Sequence, residues 1–169
     1  MINIRNIHFM PDQVGGHLDC SARNSAMASA QSAVQSAKAA LDAANAKKDE
    51  CKEKLDNATE LLENIKNEQN SIDSMMDNYD NVYDSLAAAG TTFLTAANLE
   101  GLNCGQSCLQ NYKNSLTEAR ANCAQEKSQC NMDYNQAVQE ANTAQAKYTD
   151  AQAQMSRASA IPCVWVSTQ

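Results

Sequence analysis

Apolar residues recur along the first half of the chain with the alternating three- and four-residue spacing of a coiled coil. With Met27 as heptad position a, the a and d positions continue to Leu86 in unbroken register, and only Lys48 and Gln69 among them are polar. Such a strict seven-residue repeat is typical of helices that supercoil with a left-handed twist. We call these positions the seam; its apolar members are Met27, Ala30, Val34, Ala37, Leu41, Ala44, Cys51, Leu55, Ala58, Leu62, Ile65, Ile72, Met76, Tyr79, Tyr83 and Leu86.

A second run with the same spacing covers the C-terminal part of the chain. Its spacing is four after four from Glu126 through Cys130 to Tyr134, which predicts a stutter that locally unwinds the supercoil. The predicted seam positions of this run are Leu109, Tyr112, Leu116, Ala119, Cys123, Glu126, Cys130, Tyr134, Ala137, Ala141, Ala144, Tyr148, Ala151, Met155 and Ala158.

Glycine and proline, which weaken or end helices, occupy few positions. The 5 glycines are at positions 15, 16, 90, 101 and 105, and the 2 prolines are at 11 and 162. Residues 17–89 and 106–161 therefore contain neither. We predict one helix over 17–89, a tip over 90–106 and a second helix over 107–160.

Two seams joined by a short tip predict an all-α protein, a long antiparallel coiled-coil helical hairpin with a short capped tip. Residues 17–161 would form this single helical-hairpin domain, with extended segments at 1–16 and 162–169. With the tip centred near Ala97, we expect Ala58 opposite Ala137, and Leu41 opposite Met155.

The predicted tip is unusually apolar, although connecting segments lie at the surface and are normally polar. We expect a short helical cap that closes the end of the hairpin. The alternative is a contact patch for a protein partner or a membrane. The residues concerned are Phe93, Leu94, Leu99 and Leu102.

A further line of apolar residues runs beside each seam. A stripe wider than the a and d positions indicates that a third or fourth helix packs on the hairpin. The alternative is that the many alanines in this line are small enough to be left exposed. The larger members are Leu61, Met75 and Val82 at g positions of the first helix, and Met132 and Val138 on the second.

Both ends of the sequence have the pattern of short strands. At the N-terminus, Ile2, Ile4 and Ile7 alternate with polar residues, and the run after Pro162 is β-branched and aromatic. We expect the two segments to pair as a small terminal β-ribbon, or to dock on a neighbouring chain as added strands. The C-terminal members are Val164, Trp165 and Val166.

Composition narrows the classes of function. The 169 residues include 28 Ala but only 11 Leu, and the net charge of −7 opposes binding to nucleic acids or anionic membranes. There are 2 His and no phosphate-binding loop, metal-ligand motif or nucleophile elbow. We therefore expect no enzymatic activity, no catalytic or metal-binding residues and no cofactor. The acidic stretch from Asp42 to Asp84 is expected to be a solvated helix face, or alternatively a docking surface for a basic partner.

The chain holds 7 cysteines. Cys51, Cys123 and Cys130 occupy predicted seam positions, where a free thiol serves as a small apolar filler. No Cys-x2-Cys pair is present, so we expect no zinc site. We expect the cysteines to be reduced and to serve packing, with Cys104 and Cys108 as the best candidates for a disulfide.

A series of motif residues connects the two seams: Leu86, Gly90, Phe93 and Ala96 or Ala97, then Asn103-Cys104-Gly105. This plan resembles that of WXG-type proteins and of the small helical partners associated with LXG toxins of Gram-positive type VII secretion. Asn103 stands at the tryptophan position of that motif, and Gln152, four residues after Tyr148, stands where the export tail has an acid. The resemblance implies a hairpin that pairs with a partner into a helical bundle, and a turn at Asn103 and Gly105 that contributes to recognition.

These patterns predict a non-enzymatic interaction protein, a partner or adaptor that packs with other helices as a homo- or hetero-oligomer in a secretion-associated complex. A structural subunit of a fibre, appendage or particle that docks through its terminal strands is the alternative, and a membrane-active helical hairpin is a second. The sequence shows no apolar core of a classical signal peptide and no transmembrane span, so we expect a cytoplasmic location or export by a leaderless route.

Overall fold

The computed structural model describes residues 15–88 and 96–167. The elements in chain order are strand β1 (Gly16–Asp19), helix α1 (Ser21–Ala88), helix α2 (Ala96–Ser159) and strand β2 (Val164–Ser167). The two helices, of 68 and 64 residues, pack against each other, and the two strands form a small antiparallel sheet. The predicted all-α helical hairpin with a terminal ribbon is confirmed.

The described chain divides into two compact units. The first contains the described residues of Met1–Ala44 and Ala141–Gln169, and the second is Asn45–Glu140. Each unit holds a segment of α1 and a segment of α2, so each has its own part of the seam.

The core of the first unit consists almost entirely of alanine. Its buried side chains are Ala30, Leu41, Ala141, Ala144, Ala151 and Ala158. Because the side chain of alanine is a single methyl group, alanines on facing helices allow the two backbones to approach closely. Each buried methyl contributes little by itself, so stability comes from many such contacts added along the helices.

The core of the second unit contains Ala58, Ile72, Cys123 and Ala137. The thiol of Cys123 lies 3.5 Å from the backbone carbonyl oxygen of Ala58. A side chain of α2 therefore touches the main chain of α1, which shows how near the two helices come at this layer.

The pairing of the helices differs from the predicted register. Ala58 meets Cys123 instead of Ala137, and Met155 lines a groove with Met27 and Val34 instead of with Leu41. The prediction assumed a tip centred near Ala97. Because α1 ends at Ala88 and α2 already begins at Ala96, each residue of α1 faces a residue of α2 that lies earlier in the sequence than predicted.

The predicted tip over 90–106 is wrong for residues 96–106, which belong to α2. Glycine costs a helix only about 1 kcal/mol, so Gly101 and Gly105 weaken the helix without ending it. Gly105 also has a packing role, because a Cβ atom there would lie 3.3 Å from Cε2 of Tyr79. The small residue gives the Tyr79 ring its place against α2.

The seam of α2 also differs from the prediction. Tyr112, Ala119 and Glu126 are exposed, whereas Lys113 and Lys127 are half-buried. With the two lysines and the exposed Arg120 included, the three- and four-residue spacing continues from Lys113 to Ala158, and the predicted stutter near Cys130 is absent. Long aliphatic stems let lysines cover apolar surface while their charged ends reach water. The ammonium of Lys113 lies 2.6 Å from the Asp73 carboxylate.

The polar seam position Gln69 is hydrogen-bonded across the two helices. Its side-chain amide nitrogen donates to Thr117 Oγ1 at 3.3 Å, and its amide oxygen accepts from Arg120 Nη1 at 3.0 Å. Because both ends of the amide have partners on α2, glutamine fits this seam position without an unpaired polar group.

Helix α1 begins at Ser21, four residues later than predicted, because β1 takes Gly16–Asp19. The first helical hydrogen bond runs from Asn24 N–H to the Cys20 carbonyl oxygen at 2.9 Å. Asp19 Oδ1 accepts a hydrogen bond from Ser21 N–H at 2.8 Å, and this bond lowers the pKa of the Asp19 carboxyl. The carboxylate thereby satisfies one of the unpaired amides of the first turn.

The substitution Ala137→Leu should destabilise the second unit. Ala137 is 0% exposed, so the larger side chain would overpack the contact and lower the free energy of unfolding by about 1–3 kcal/mol. Ala119→Leu is the matched control, because Ala119 is exposed on the same helix and should change stability by no more than about 0.5 kcal/mol. Urea unfolding followed by circular dichroism measures both. Equal effects of the two substitutions would contradict the observed helix pairing.

Candidate functional site

A disulfide joins the two flanks of the hairpin in the first unit. Cys20, just before α1, is bonded to Cys163, just before β2, with their Cα atoms 4.4 Å apart. The expectation of reduced cysteines is wrong for this pair, and the predicted Cys104–Cys108 bond is absent, since both thiols are free and exposed. The signal for the correct pair lay in its position, because each cysteine directly flanks one end of the antiparallel helices.

The disulfide lies next to the two-stranded sheet, which we call the ribbon, because Cys20 directly follows β1 and Cys163 directly precedes β2. Leu18 lies opposite Trp165, His17 opposite Val166, and Asp19 opposite Val164. The C-terminal strand is therefore where the sequence predicts it. Its partner is Gly16–Asp19, and the N-terminal residues Ile2, Ile4 and Ile7 lie outside the described part of the chain.

The ribbon presents large apolar side chains to solvent. Trp165 is 61% exposed and Val164 is 64% exposed, and Leu18 and Val166 are exposed as well. Trp165 lies over Gly16, where an added Cβ would come within 2.7 Å of the indole nitrogen. A lone two-stranded ribbon is marginally stable in water, and the adjacent disulfide joins the two segments that carry its strands.

A second apolar surface lies on α1 in the second unit. Leu61, Met75 and Val82 are 49%, 53% and 52% exposed, and we call these three residues the α1 stripe. Of the two residues predicted for α2, Met132 is exposed and Val138 is half-buried. The predicted second stripe thus remains uncovered on α1 and is partly covered on α2.

The residues predicted for the tip do not form one patch in the described chain. Phe93 and Leu94 lie outside the described residues, whereas Leu99 and Leu102 belong to α2. Asn103 and Gly105 are helical too, so the turn expected there from the resemblance is absent. Leu102 is half-buried and Asn103 is exposed.

Charged groups pair at the surface in both units. In the second unit, Lys47 on α1 lies 2.7 Å from Glu140 on α2. Their hydrogen bond raises the pKa of Lys47 and lowers that of Glu140. The two groups are solvent-exposed, and exposed ion pairs contribute little to stability.

The described residues offer little for acid–base or metal chemistry. Across 15–88 and 96–167, no charged or polar residue is buried, and no three His, Cys, Asp or Glu side chains are grouped so as to hold a metal ion. Within the same ranges, neither helix has an apolar stretch long enough to cross a membrane. The surfaces described above can bind through apolar contact, and the ribbon can also bind through its strand edges.

Comparison of the chain with protein families, curated proteins and solved structures found no match.

Gly16→Ala should displace the indole of Trp165, because the new methyl would overlap the ring. Trp165 is the 1 tryptophan of the chain, so its emission reports on the ribbon alone. We expect a shift in emission maximum or intensity without loss of helical circular dichroism. Gly101→Ala is the control, since no atom lies within 4 Å of the added Cβ. It should leave the emission unchanged and stabilise the helix by about 0.5–1 kcal/mol. An unchanged spectrum for Gly16→Ala would contradict the described packing.

Removal of the disulfide should destabilise the protein. It spans a sequence separation of 143, and loss of such a bond costs about 2–5 kcal/mol, because the unfolded chain regains freedom. We expect Cys20→Ser with Cys163→Ser, or reduction of the natural chain, to lower the urea midpoint. Cys104→Ser with Cys108→Ser serves as the control and should keep the natural midpoint. Identical midpoints for both double variants would refute the role of the bond.

Proposed function

We propose that this chain is a non-enzymatic interaction protein, in which a disulfide-closed helical hairpin packs with a helix of another chain. The observation that carries the proposal is the α1 stripe. Its three large apolar side chains recur on one line of the helix and are about half exposed in the single chain.

Burial of the stripe under a further helix would be favourable. Complete burial of a leucine, valine or methionine side chain is worth roughly 1.5–3 kcal/mol, so each exposed half represents roughly 1 kcal/mol. The energy of three such side chains can support association when it is combined with contacts along the rest of a helix. Met75 adds a flexible side chain that adapts to the shape of a partner.

The positions on the outer side of the stripe support the same proposal because they carry no charge, although Glu68 lies on the line of the stripe itself, between Leu61 and Met75. The heptad position on its outer side is occupied by Asn57, Asn64, Ser71, Asn78 and Ser85. Ser71 and Ser85 donate their hydroxyl hydrogens to carbonyl oxygens of their own helix, at 3.2 and 2.7 Å. These hydroxyls could be covered without losing a hydrogen bond. Depletion of charge around apolar residues is characteristic of the centre of a protein interface.

The ribbon supports a second candidate function, that of a structural subunit that docks through its strands. β1 and β2 pair only with each other within the described residues, so each has an outer edge that could accept a further strand. The exposed Trp165 and Val164 would add apolar contact beside those hydrogen bonds.

The secretion-associated setting enters the proposal only through the resemblance to WXG- and LXG-type proteins. The membrane-active alternative depends on Phe93 and Leu94, which lie outside the described residues. The contacts of the described chain give the helical interface the strongest support.

Sedimentation of the natural chain and of Met75→Glu with Val82→Glu tests the proposal. We expect the natural chain to form dimers or larger species, and the variant to associate at least tenfold more weakly, because two carboxylates would have to be buried. Ser74→Glu with Asn81→Glu is the matched control. It adds the same charge to adjacent exposed positions and should keep the natural association.

Three outcomes are distinguishable. A monomeric natural chain, or equal loss in the stripe and control variants, would count against the helical interface. Association that disappears with Trp165→Ser but survives the stripe substitutions would instead support docking through the ribbon. Circular dichroism of each variant verifies that the helices are intact.

A further inference from the structure

Two half-buried cysteines of the second unit, Cys51 on α1 and Cys130 on α2, occupy the same layer of the seam. The contact between Ala58 and the thiol of Cys123 fixes the local pairing. Cys51 lies one heptad before Ala58, and Cys130 one heptad after Cys123. Because the helices are antiparallel, one heptad backward along α1 and one heptad forward along α2 are displacements in the same direction along the hairpin axis, each of about 10.5 Å. Cys51 and Cys130 are therefore related to each other across the two helices as Ala58 is to Cys123.

Cross-helix contacts bracket this layer on both sides. The Ala58–Cys123 contact lies on one side, and the ion pair of Lys47 with Glu140, at 2.7 Å, lies on the other. Because α1 and α2 touch on both sides of the two cysteines, the helices remain adjacent where Cys51 and Cys130 lie.

The environment of Lys54 places both thiols near one ammonium group. The pKa of Lys54 is raised mainly by its hydrogen bond to Glu50, and the charges of Cys51 and Cys130 contribute further to the rise. One lysine thus lies within electrostatic reach of cysteines from both helices.

The two helices lie close together one heptad from these cysteines. A disulfide needs Cα atoms about 4.4–6.8 Å apart, which requires neighbouring backbones to lie close together. One heptad away, the single side chain of Cys123 already reaches the opposite main chain. Cys51 and Cys130 are also partly open to solvent, whereas Cys123 is buried. A small oxidant can therefore reach the first two thiols and not the third.

We propose that Cys51 and Cys130, which are free thiols in this structure, form a second covalent link between α1 and α2 when the protein meets a small-molecule disulfide such as oxidised glutathione. One thiolate attacks a sulfur of the oxidant, forms a mixed disulfide and releases one glutathione thiolate. The second thiolate then attacks the protein sulfur of the mixed disulfide and releases the other. The two cysteines lose two electrons and two protons, and one oxidant molecule becomes two thiols.

This link is distinct from the Cys20–Cys163 bond, which lies in the first unit. It also does not depend on the proposed helical partner, because seam residues face the other helix of the same chain. The cross-link would join the helices within the second unit and would hold them together there under oxidising conditions.

Peptide mapping of the full chain tests the proposal. The purified protein, with Cys20–Cys163 intact, is incubated with oxidised glutathione, alkylated and digested with trypsin without reduction. Cleavage places Cys51 in 49–52, Cys130 in 128–147, Cys123 in 121–127, and both Cys104 and Cys108 in 67–113. We expect 49–52 linked to 128–147 as the main product of Cys51. The linked protein should also melt roughly 5 °C or more above the protein before oxidation.

Single substitutions sharpen the result. In Cys51→Ser, Cys130 should carry glutathione as a stable mixed disulfide, and in Cys130→Ser the same should hold for Cys51. Cys123→Ala should keep the cross-link. The proposal is overturned if both cysteines of the natural chain accumulate separate mixed disulfides. It is equally overturned if Cys51 links to Cys104, Cys108 or Cys123 in preference to Cys130.

Discussion

Contact between small side chains along two facing helices is the interaction on which the rest of this structure depends. In the first unit the buried residues are almost all alanines, and in the second a cysteine thiol touches the opposite main chain. Such contacts bring the backbones close, but each buries little apolar surface. Stability is therefore spread over many weak layers, and a covalent bond at the flanks adds what a core of large side chains would otherwise supply.

The helices could be predicted because their signal is repeated many times. Sixty or more residues of heptad spacing outweigh any single position, so both long helices and the α1 seam follow from the pattern alone. The register could not be obtained in this way, because it depends on where the chain reverses. Gly101 and Gly105 suggested a loop, yet glycine is only a weak helix breaker, and α2 extends through both to Ala96. Lys113 and Lys127 were wrongly left out of the predicted α2 seam. A pattern of apolar and polar residues counts lysine as polar, although its long aliphatic stem is apolar.

The candidate surfaces, like the fold, could be predicted from the sequence only in part. The α1 stripe is periodic and was predicted residue by residue, and the structure leaves it exposed. The cysteine chemistry was not predictable, because it depends on which residues of the two helices face each other. Cys20 and Cys163 are 143 positions apart and come together only when the ribbon forms, with β1 at a place where the sequence suggested the start of α1. The close spacing of Cys104 and Cys108 in the sequence instead led to the wrong prediction of a disulfide between them.

The Cys20–Cys163 bond has a topological consequence. It makes the covalent path from one cysteine through both helices to the other a closed ring. Cleavage of one peptide bond between α1 and α2 would open this ring without releasing a fragment, because the disulfide would still join the N-terminal flank of α1 to the C-terminal flank of α2. Peptide continuity between the helices is thus dispensable for holding them together once the bond has formed.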